Sequence, residues 1–345
     1  MNRTRAVLVG DALLPIGVIA GAFHGVEDVI DVALELSWGP PTEAGADELA
    51  LELERHGPSA VPVPTEIASQ LGEAELLVVH YCPVSRELLA AAPKLKILAT
   101  CRMGTENLDL RVARERGLTS VHVVGRTTEA VSDLAIGLLL AEARNIARAH
   151  CRVMSGAWDK TFPNSAFTPE LEGQTVGLVG IGEIGRAMAR KLTGFRVKIL
   201  AYDPFMSDQL IRERGAEPVS LDRLLQTADF ISLHARSMPG NAALLSTREF
   251  DLMKPTAILI NTARSNLIDS EALYDALRTR KIAGAALDVH DQEPLGPGHP
   301  LLHMENVTLT PHLASSTRRC IEKSAEMLAA NLGRYMRGGE LRDVV

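Results

Sequence analysis

The stretch Thr175-Val-Gly-Leu-Val-Gly180-Ile-Gly182-Glu-Ile-Gly185 decides how this chain is read. Val176 to Val179 is a short apolar run of the kind that forms a strand buried on both faces. A G-x-G-x-x-G follows, and then Arg186 to Leu192 with helical composition and spacing. At such a strand-to-helix turn each glycine has a physical task. Gly180 permits the tight turn, Gly182 lets backbone N–H groups approach a pyrophosphate, and Gly185 lets the helix sit against the strand. The helix N-terminus adds unpaired N–H donors and the positive end of its dipole.

A glycine run alone is weak evidence, because glycine-rich turns are common. Here a second apolar strand, Val197 to Tyr202, ends in Asp203 at about the spacing where an acid hydrogen-bonds the adenosine ribose hydroxyls. Pro204, Phe205 and Met206 follow, with no cation beside Asp203. A 2′-phosphate would meet a carboxylate and no counter-charge, so the pattern selects NAD over NADP. The competing reading, a structural glycine turn followed by a strand-end acid, leaves the spacing unexplained.

The 345 residues are comfortable for two domains, and 46% hydrophobic content supplies two cores. A net charge of −7 argues against nucleic acid as a partner. Cys82, Cys101, Cys151 and Cys320 are scattered, with no CxxC pair, which fits reduced thiols in a cytoplasmic protein and points to no zinc site or disulfide framework. Arg3 and Arg5 before the apolar Ala12–Phe23 superficially resemble a signal peptide, but Gly10-Asp11 interrupts, and Ala6 to Val9 reads as a first strand. No run approaches the roughly eighteen apolar residues needed to span a membrane.

Short apolar strands alternate with helical segments before the glycine turn and again after it. That alternation predicts an α/β protein of two doubly wound parallel-sheet domains. Val26 to Leu36 reads equally as strand, helix or both. Glu129 to Met154 reads as one long helix that bridges the domains, and Ser315 to Met336 as a final amphipathic helix.

Three stretches after the fingerprint each close a predicted strand, where open α/β sheets place their ligands. They are Asn261-Thr262-Ala263-Arg264-Ser265, Asp288-Val289-His290-Asp291-Gln292-Glu293-Pro294 and Thr310-Pro311-His312-Leu313-Ala314-Ser315. They offer an arginine that can fork onto a carboxylate, a histidine that exchanges a proton near neutral pH, and a glutamate to orient it.

With these residues the chain resembles the NAD-dependent D-isomer-specific 2-hydroxyacid dehydrogenases along nearly its whole length. The fingerprint, Asn-Thr-Ala-Arg, Asp-Val-x-x-x-Glu-Pro and Thr-Pro-His stand in the family's order and at about its spacing. The resemblance implies that Arg264 holds the substrate carboxylate and carbonyl, that His312 is the general acid/base, and that Glu293 partners it. It places Gly180, Gly182, Glu183, Ile184, Gly185, Asp203, His234, Thr262, Ala263, Arg264, Asp288, His312 and Ala314 along the cofactor, with Asp288 on the nicotinamide carboxamide. It also implies a Rossmann NAD-binding domain, 125–313, inserted into a flavodoxin-like substrate domain, 1–124 and 314–345, with the active site in the cleft and no metal required.

Cys101-Arg102-Met103-Gly104-Thr105-Glu106-Asn107-Leu108-Asp109 looks like the family's substrate loop, in a form similar to that of D-3-phosphoglycerate dehydrogenases. Arg102 and Arg126 are then candidates for a distal anion such as a phosphate; the plain alternative for each is a solvated surface arginine. Departures from the family pattern are Ser265 where Gly is usual, Ser237–Ala242 where a Thr-bearing loop is usual, and His290 where Phe is common. His290 is by residue type a rival to His312 for proton transfer, although His312 sits in the better-matched motif. The expected substrate is a small anionic 2-hydroxy or 2-oxo acid, first 3-phosphoglycerate. Glyoxylate, hydroxypyruvate or a sugar acid is the alternative, and an NAD(H)-sensing corepressor-like protein is the competing class. By the same resemblance the long helix is the one through which the family forms homodimers, and the extra regulatory domain of some phosphoglycerate dehydrogenases is expected to be absent.

Overall fold

The computed structural model describes residues 3–62, 64–235 and 243–345. The Ser237–Ala242 departure lies outside the described residues. The chain divides into two compact units, 1–126 with 317–345, and 127–316. The crossings thus fall at 126/127 and 316/317, two or three residues beyond the expected 124/125 and 313/314.

The first unit holds the parallel strands β1 (Thr4–Gly10), β2 (Ile30–Ser37), β3 (Leu76–Val79), β4 (Ile97–Thr100) and β5 (Thr119–Val121), in spatial order β2-β1-β3-β4-β5. This is the flavodoxin-like order. β3 and β4 are apolar throughout except for Thr100 and buried at every residue, as strands covered by helices on both faces must be. One face packs Ile19 and Phe23 of helix Ile16–Phe23 against Leu328 and Leu332 of helix Arg318–Met336. The N-terminal apolar stretch is therefore core structure. The ambiguous Val26–Leu36 segment resolves into a single helical turn at His24–Val26, then β2.

The second unit holds β6 (Thr175–Val179), β7 (Lys198–Tyr202), β8 (Glu217–Pro218), β9 (Phe230–Leu233), β10 (Ile258–Asn261), β11 (Gly284–Leu287) and β12 (Val307–Leu309). Their order is β12-β11-β10-β9-β6-β7-β8, all parallel. Counted from β6, this is the Rossmann order 3-2-1-4-5-6 with a seventh strand at the edge. The chain reverses direction across the sheet between β6 and β9, so a crevice opens at their carboxyl ends.

The long helix expected over Glu129–Met154 is two helices, Thr128–Ala143 and Ile146–Met154, and both lie in the second unit. The break is at Asn145, in the left-handed region (φ 59°), a conformation asparagine tolerates better than most residues. Sequence periodicity carries no sign of it, because the pattern runs on through the break. Side chains fix it: Asn145 Nδ2 donates to Asn164 Oδ1 at 2.7 Å, and Arg148 Nη1 donates to Asn145 Oδ1 at 2.9 Å. Arg148 also forms an ion pair with Glu142, which is 3% exposed and accepts from Thr308 Oγ1 at 2.7 Å. The pair ties both helices to β12.

Removing one partner of such a buried pair strands the other charge, so Glu142→Ala should destabilise the protein by about 3 kcal/mol. Urea unfolding measures this; a loss below about 1 kcal/mol would mean that the pair is solvated and does not hold the helices.

Candidate active site

At the end of β6 the glycines occupy three different environments. Gly180 has φ +90°, and a Cβ there would stand 2.6 Å from Ala235 N, just beyond the end of β9. No side chain fits. A Cβ on Gly182 would meet nothing within 4 Å, so the space above the helix N-terminus is open, as a pyrophosphate needs. A Cβ on Gly185 would collide with the carbonyl oxygen of Gly180, so helix Glu183–Leu192 can approach only without one. Asp203 holds the turn from the next strand. Its Oδ2 accepts from Ile181 N and its Oδ1 from Phe205 N, both at 3.0 Å, which leaves acceptor capacity on each oxygen for ribose hydroxyls. Arg214, which nothing in the sequence singles out, donates to the Ile181 carbonyl at 2.7 Å and pairs with Glu183 at 3.6 Å. Glu183 also pairs with Arg186 at 2.7 Å, so its charge at the helix N-terminus is compensated. Ile184 lies one residue further along the helix. The donor set fits a dinucleotide with an unphosphorylated ribose.

Arg264, Glu293 and His312 follow β10, β11 and β12, three neighbouring strands of one sheet, all at the carboxyl edge. Asn261 shapes the first loop, accepting from Ala263 N at 3.0 Å and donating to the Arg264 carbonyl at 2.9 Å. The Arg264 guanidinium is exposed and engaged only by the Ala263 carbonyl among the described residues, so most of its donors remain for a ligand. Thr262 is buried there with its hydroxyl unpartnered among the described residues. His234, after β9, lies against Ser232 Oγ at 3.0 Å, and burial pushes its pKa down to about 4, so the ring is neutral.

His312 Nδ1 stands 2.8 Å from Glu293 Oε2. A carboxylate only accepts, so the Nδ1 proton is held there and Nε2, which has no protein partner among the described residues, is the nitrogen that can exchange a proton. Glu293 Oε1 accepts from His290 N at 2.9 Å. His312 itself has φ +52°, a left-handed conformation uncommon outside glycine.

Asp288 accounts for that geometry. It is wholly buried, and its Oδ1 accepts from Thr310 Oγ1 at 2.6 Å and Leu313 N at 2.9 Å, its Oδ2 from Ala314 N at 2.9 Å. The carboxamide contact expected of Asp288 finds no exposed oxygen; the carboxylate is turned onto the loop that carries His312. His290 is no rival for proton transfer either. It is 8% exposed, and its Nε2 lies 2.9 Å from the Thr310 carbonyl, to which it can only donate.

In the first unit, Arg102 meets neither expectation made for it. It is 4% exposed, not solvated, and its Nη2 pairs with Glu54 at 2.6 Å and Glu106 at 3.3 Å. Its Nη1 donates to Asn107 Oδ1 at 3.2 Å, and its guanidinium carbon lies 3.9 Å from the centre of the Tyr81 ring. Nothing local in the sequence pairs Arg102 with Glu54, 48 positions earlier. Met103 is exposed with its carbonyl bonded by His122 Nδ1 at 2.7 Å, and a Cβ on Gly104 would collide with the Glu106 carboxylate. Arg126 is half-buried; its Nη1 reaches Cys320 Sγ at 3.5 Å and its Nε has no partner among the described residues. Sequence reading also missed the buried Asp11–His80 pair, 3.0 Å apart at the ends of β1 and β3.

A sequence model of the D-isomer specific 2-hydroxyacid dehydrogenase NAD-binding domain matches residues 136–314. A glyoxylate reductase of Korarchaeum cryptofilum is 38% identical over 83% of this chain and 87% of its own length. The chain belongs to the D-isomer specific 2-hydroxyacid dehydrogenases. A D-3-phosphoglycerate dehydrogenase of Archaeoglobus fulgidus is 34% identical over 81% of this chain and 53% of its own. Among solved structures, the TT0316 protein of Thermus thermophilus superposes with TM-score 0.70 at 32% identity, covering 99% of both chains. This dehydrogenase is thus an NAD-dependent oxidoreductase acting on the CH–OH group of 2-hydroxy acids. Of the departures from the dehydrogenase pattern, Ser265 is accommodated without strain: it opens a single helical turn, Ser265–Leu267, and has no positive φ. No described helix of the dehydrogenase is long and apolar enough to cross a membrane.

Burial pushes the Glu293 carboxyl up, but the hydrogen bonds from His312 and from the His290 N–H outweigh it and hold it below its ordinary 4.5. A carboxylate depressed on folding stabilises the protein above its unfolded value, and that contribution is lost as pH falls through the folded value. The stability difference between the dehydrogenase and its Glu293→Gln variant should therefore be nearly full above about pH 5 and shrink as pH falls from about 4.5 through the lower folded value. Urea titrations across that window would contradict this by giving a constant difference.

Proposed function

We propose that this dehydrogenase interconverts an unphosphorylated small 2-oxo acid, glyoxylate or hydroxypyruvate, and its 2-hydroxy acid, of D configuration where C2 is a stereocentre. The observation that carries the reading is the pairing of Arg102. Its guanidinium is shared by two carboxylates, Glu106 of its own loop and Glu54 of helix Glu43–His56. A phosphate brought there would meet a guanidinium already engaged by two carboxylates, whose charges would repel it. The 3-phosphoglycerate alternative needs that loop to be cationic. Arg126, with no carboxylate partner among the described residues, Met103 and the backbone of Gly104 are the groups that the first unit offers a substrate.

In the reductive direction Arg264 forks onto the substrate carboxylate and polarises the C2 carbonyl. His312, protonated at Nε2, gives its proton to the carbonyl oxygen as that oxygen becomes an alkoxide. Glu293 holds Nδ1–H and so keeps Nε2 directed at the reacting oxygen. Bound NADH supplies the hydride that arrives at C2, and oxidation reverses each step. Asp203, with no cation following it, supports NADH over NADPH. The homodimer belongs to the same reading: helix Ile146–Met154 buries none of its own residues and exposes Ile146, Val153 and Met154, with Trp158 beyond it.

Initial rates of NADH oxidation with glyoxylate, hydroxypyruvate and phosphohydroxypyruvate test the substrate. The unphosphorylated acids should show kcat/KM at least about tenfold higher than the phosphorylated one. A preference for the phosphorylated acid would overturn the reading.

A further inference from the structure

Two loops must be held against each other for His312 to meet Glu293, and they come from different strands. The loop after β11 is anchored at Asp291, which accepts from Tyr274 OH at 2.9 Å and from His299 Nε2 at 3.0 Å. His299 Nδ1 accepts from Leu301 N at 3.4 Å, so its proton is on Nε2 and points at Asp291. The loop after β12 turns at Thr310, whose carbonyl accepts from His312 N at 3.0 Å, within the very turn that sets the left-handed backbone of His312.

His290 joins the two. Its backbone N–H holds Glu293 Oε1 at 2.9 Å, and its ring Nε2–H reaches across to the Thr310 carbonyl at 2.9 Å. The other ring nitrogen, Nδ1, is buried and has no partner among the described residues. The ring therefore makes one hydrogen bond, and that bond ends on the carbonyl capping His312. Burying a polar ring with one nitrogen orphaned costs free energy that a phenyl ring of similar shape would not incur. Packing does not account for a histidine here.

We propose that His290 is a positioning residue for His312: it couples the carboxylate of Glu293 and the backbone turn of His312 through one residue, so that the imidazole and its partner keep register. The inference rests on the proton-transfer role proposed for His312, and the experiment separates the two.

His290→Phe keeps the volume and removes the donor; His290→Gln keeps a donor at the position of Nε2. Wild type and both variants are to be crystallised and assayed with NADH and glyoxylate. In the Phe variant the Nδ1–Oε2 contact should open beyond hydrogen-bonding distance. Its kcat should fall at least about tenfold with KM nearly unchanged, the pattern of a misplaced catalytic group. The Gln variant should retain the contact and stay within about threefold of wild type, because a donor again meets the Thr310 carbonyl. A Phe variant with the contact intact overturns the proposal even if no substrate is turned over. So does equal impairment of the two variants, or a Phe variant as active as wild type. A wild type inactive toward every 2-oxo acid, with the contact opening as expected in the Phe variant, would sink the functional reading and leave the coupling standing.

Discussion

The buried carboxylate of Asp288 is the interaction on which the rest of the catalytic edge depends. An ionised carboxylate removed from water is tolerable only if hydrogen bonds replace its hydration. Here three donors do so, and all three come from residues 310 to 314. The charge at the end of β11 thus dictates the path of the chain leaving β12. A left-handed backbone at a non-glycine residue stores roughly 1–3 kcal/mol, and it persists where surrounding contacts over-determine it. His312 is enclosed in that way: Thr310 bonds its N–H, and Asp288 holds the two residues that follow. The backbone that carries the imidazole is thereby held on both sides, with its Nδ1 on Glu293.

The two units apply the same sheet logic to different chemistry. In both, parallel strands deliver polar residues to their carboxyl ends, where strands stop and backbone donors are unpaired. In the second unit those ends carry an open glycine turn and an exposed arginine with spare donors. In the first they carry charges already matched to each other, Asp11 with His80 and Arg102 with Glu54 and Glu106.

Much of this was legible in the sequence, for local physical reasons. Apolar runs such as Leu76–Val79 announce strands buried on both faces, and the spacing from Gly180 to Asp203 announces a strand–turn–helix–strand unit. Arg264, Glu293 and His312 could be assigned to strand ends because each follows an apolar run, while the adjacency of those strands came only with the fold. What escaped reading is what depends on partners distant in sequence. Arg102 looked like a free cation until the fold brought Glu54 to it. Asp288 looked like a ligand contact because nothing in its own motif shows that residues 310 to 314 return to it. The Asn145 break was invisible because the apolar pattern continues across it, and the ring of His290 gave no hint of the Thr310 carbonyl.

Catalysis at this edge depends on proton passage through Nε2 of His312, which turnover of His312→Ala with and without added imidazole tests. Turnover of the variant should fall by at least about a hundredfold, the usual scale of general acid–base assistance, and free imidazole should restore part of it. A variant that reduces its 2-oxo acid at near wild-type rate would contradict the claim, as the proton would then have another source.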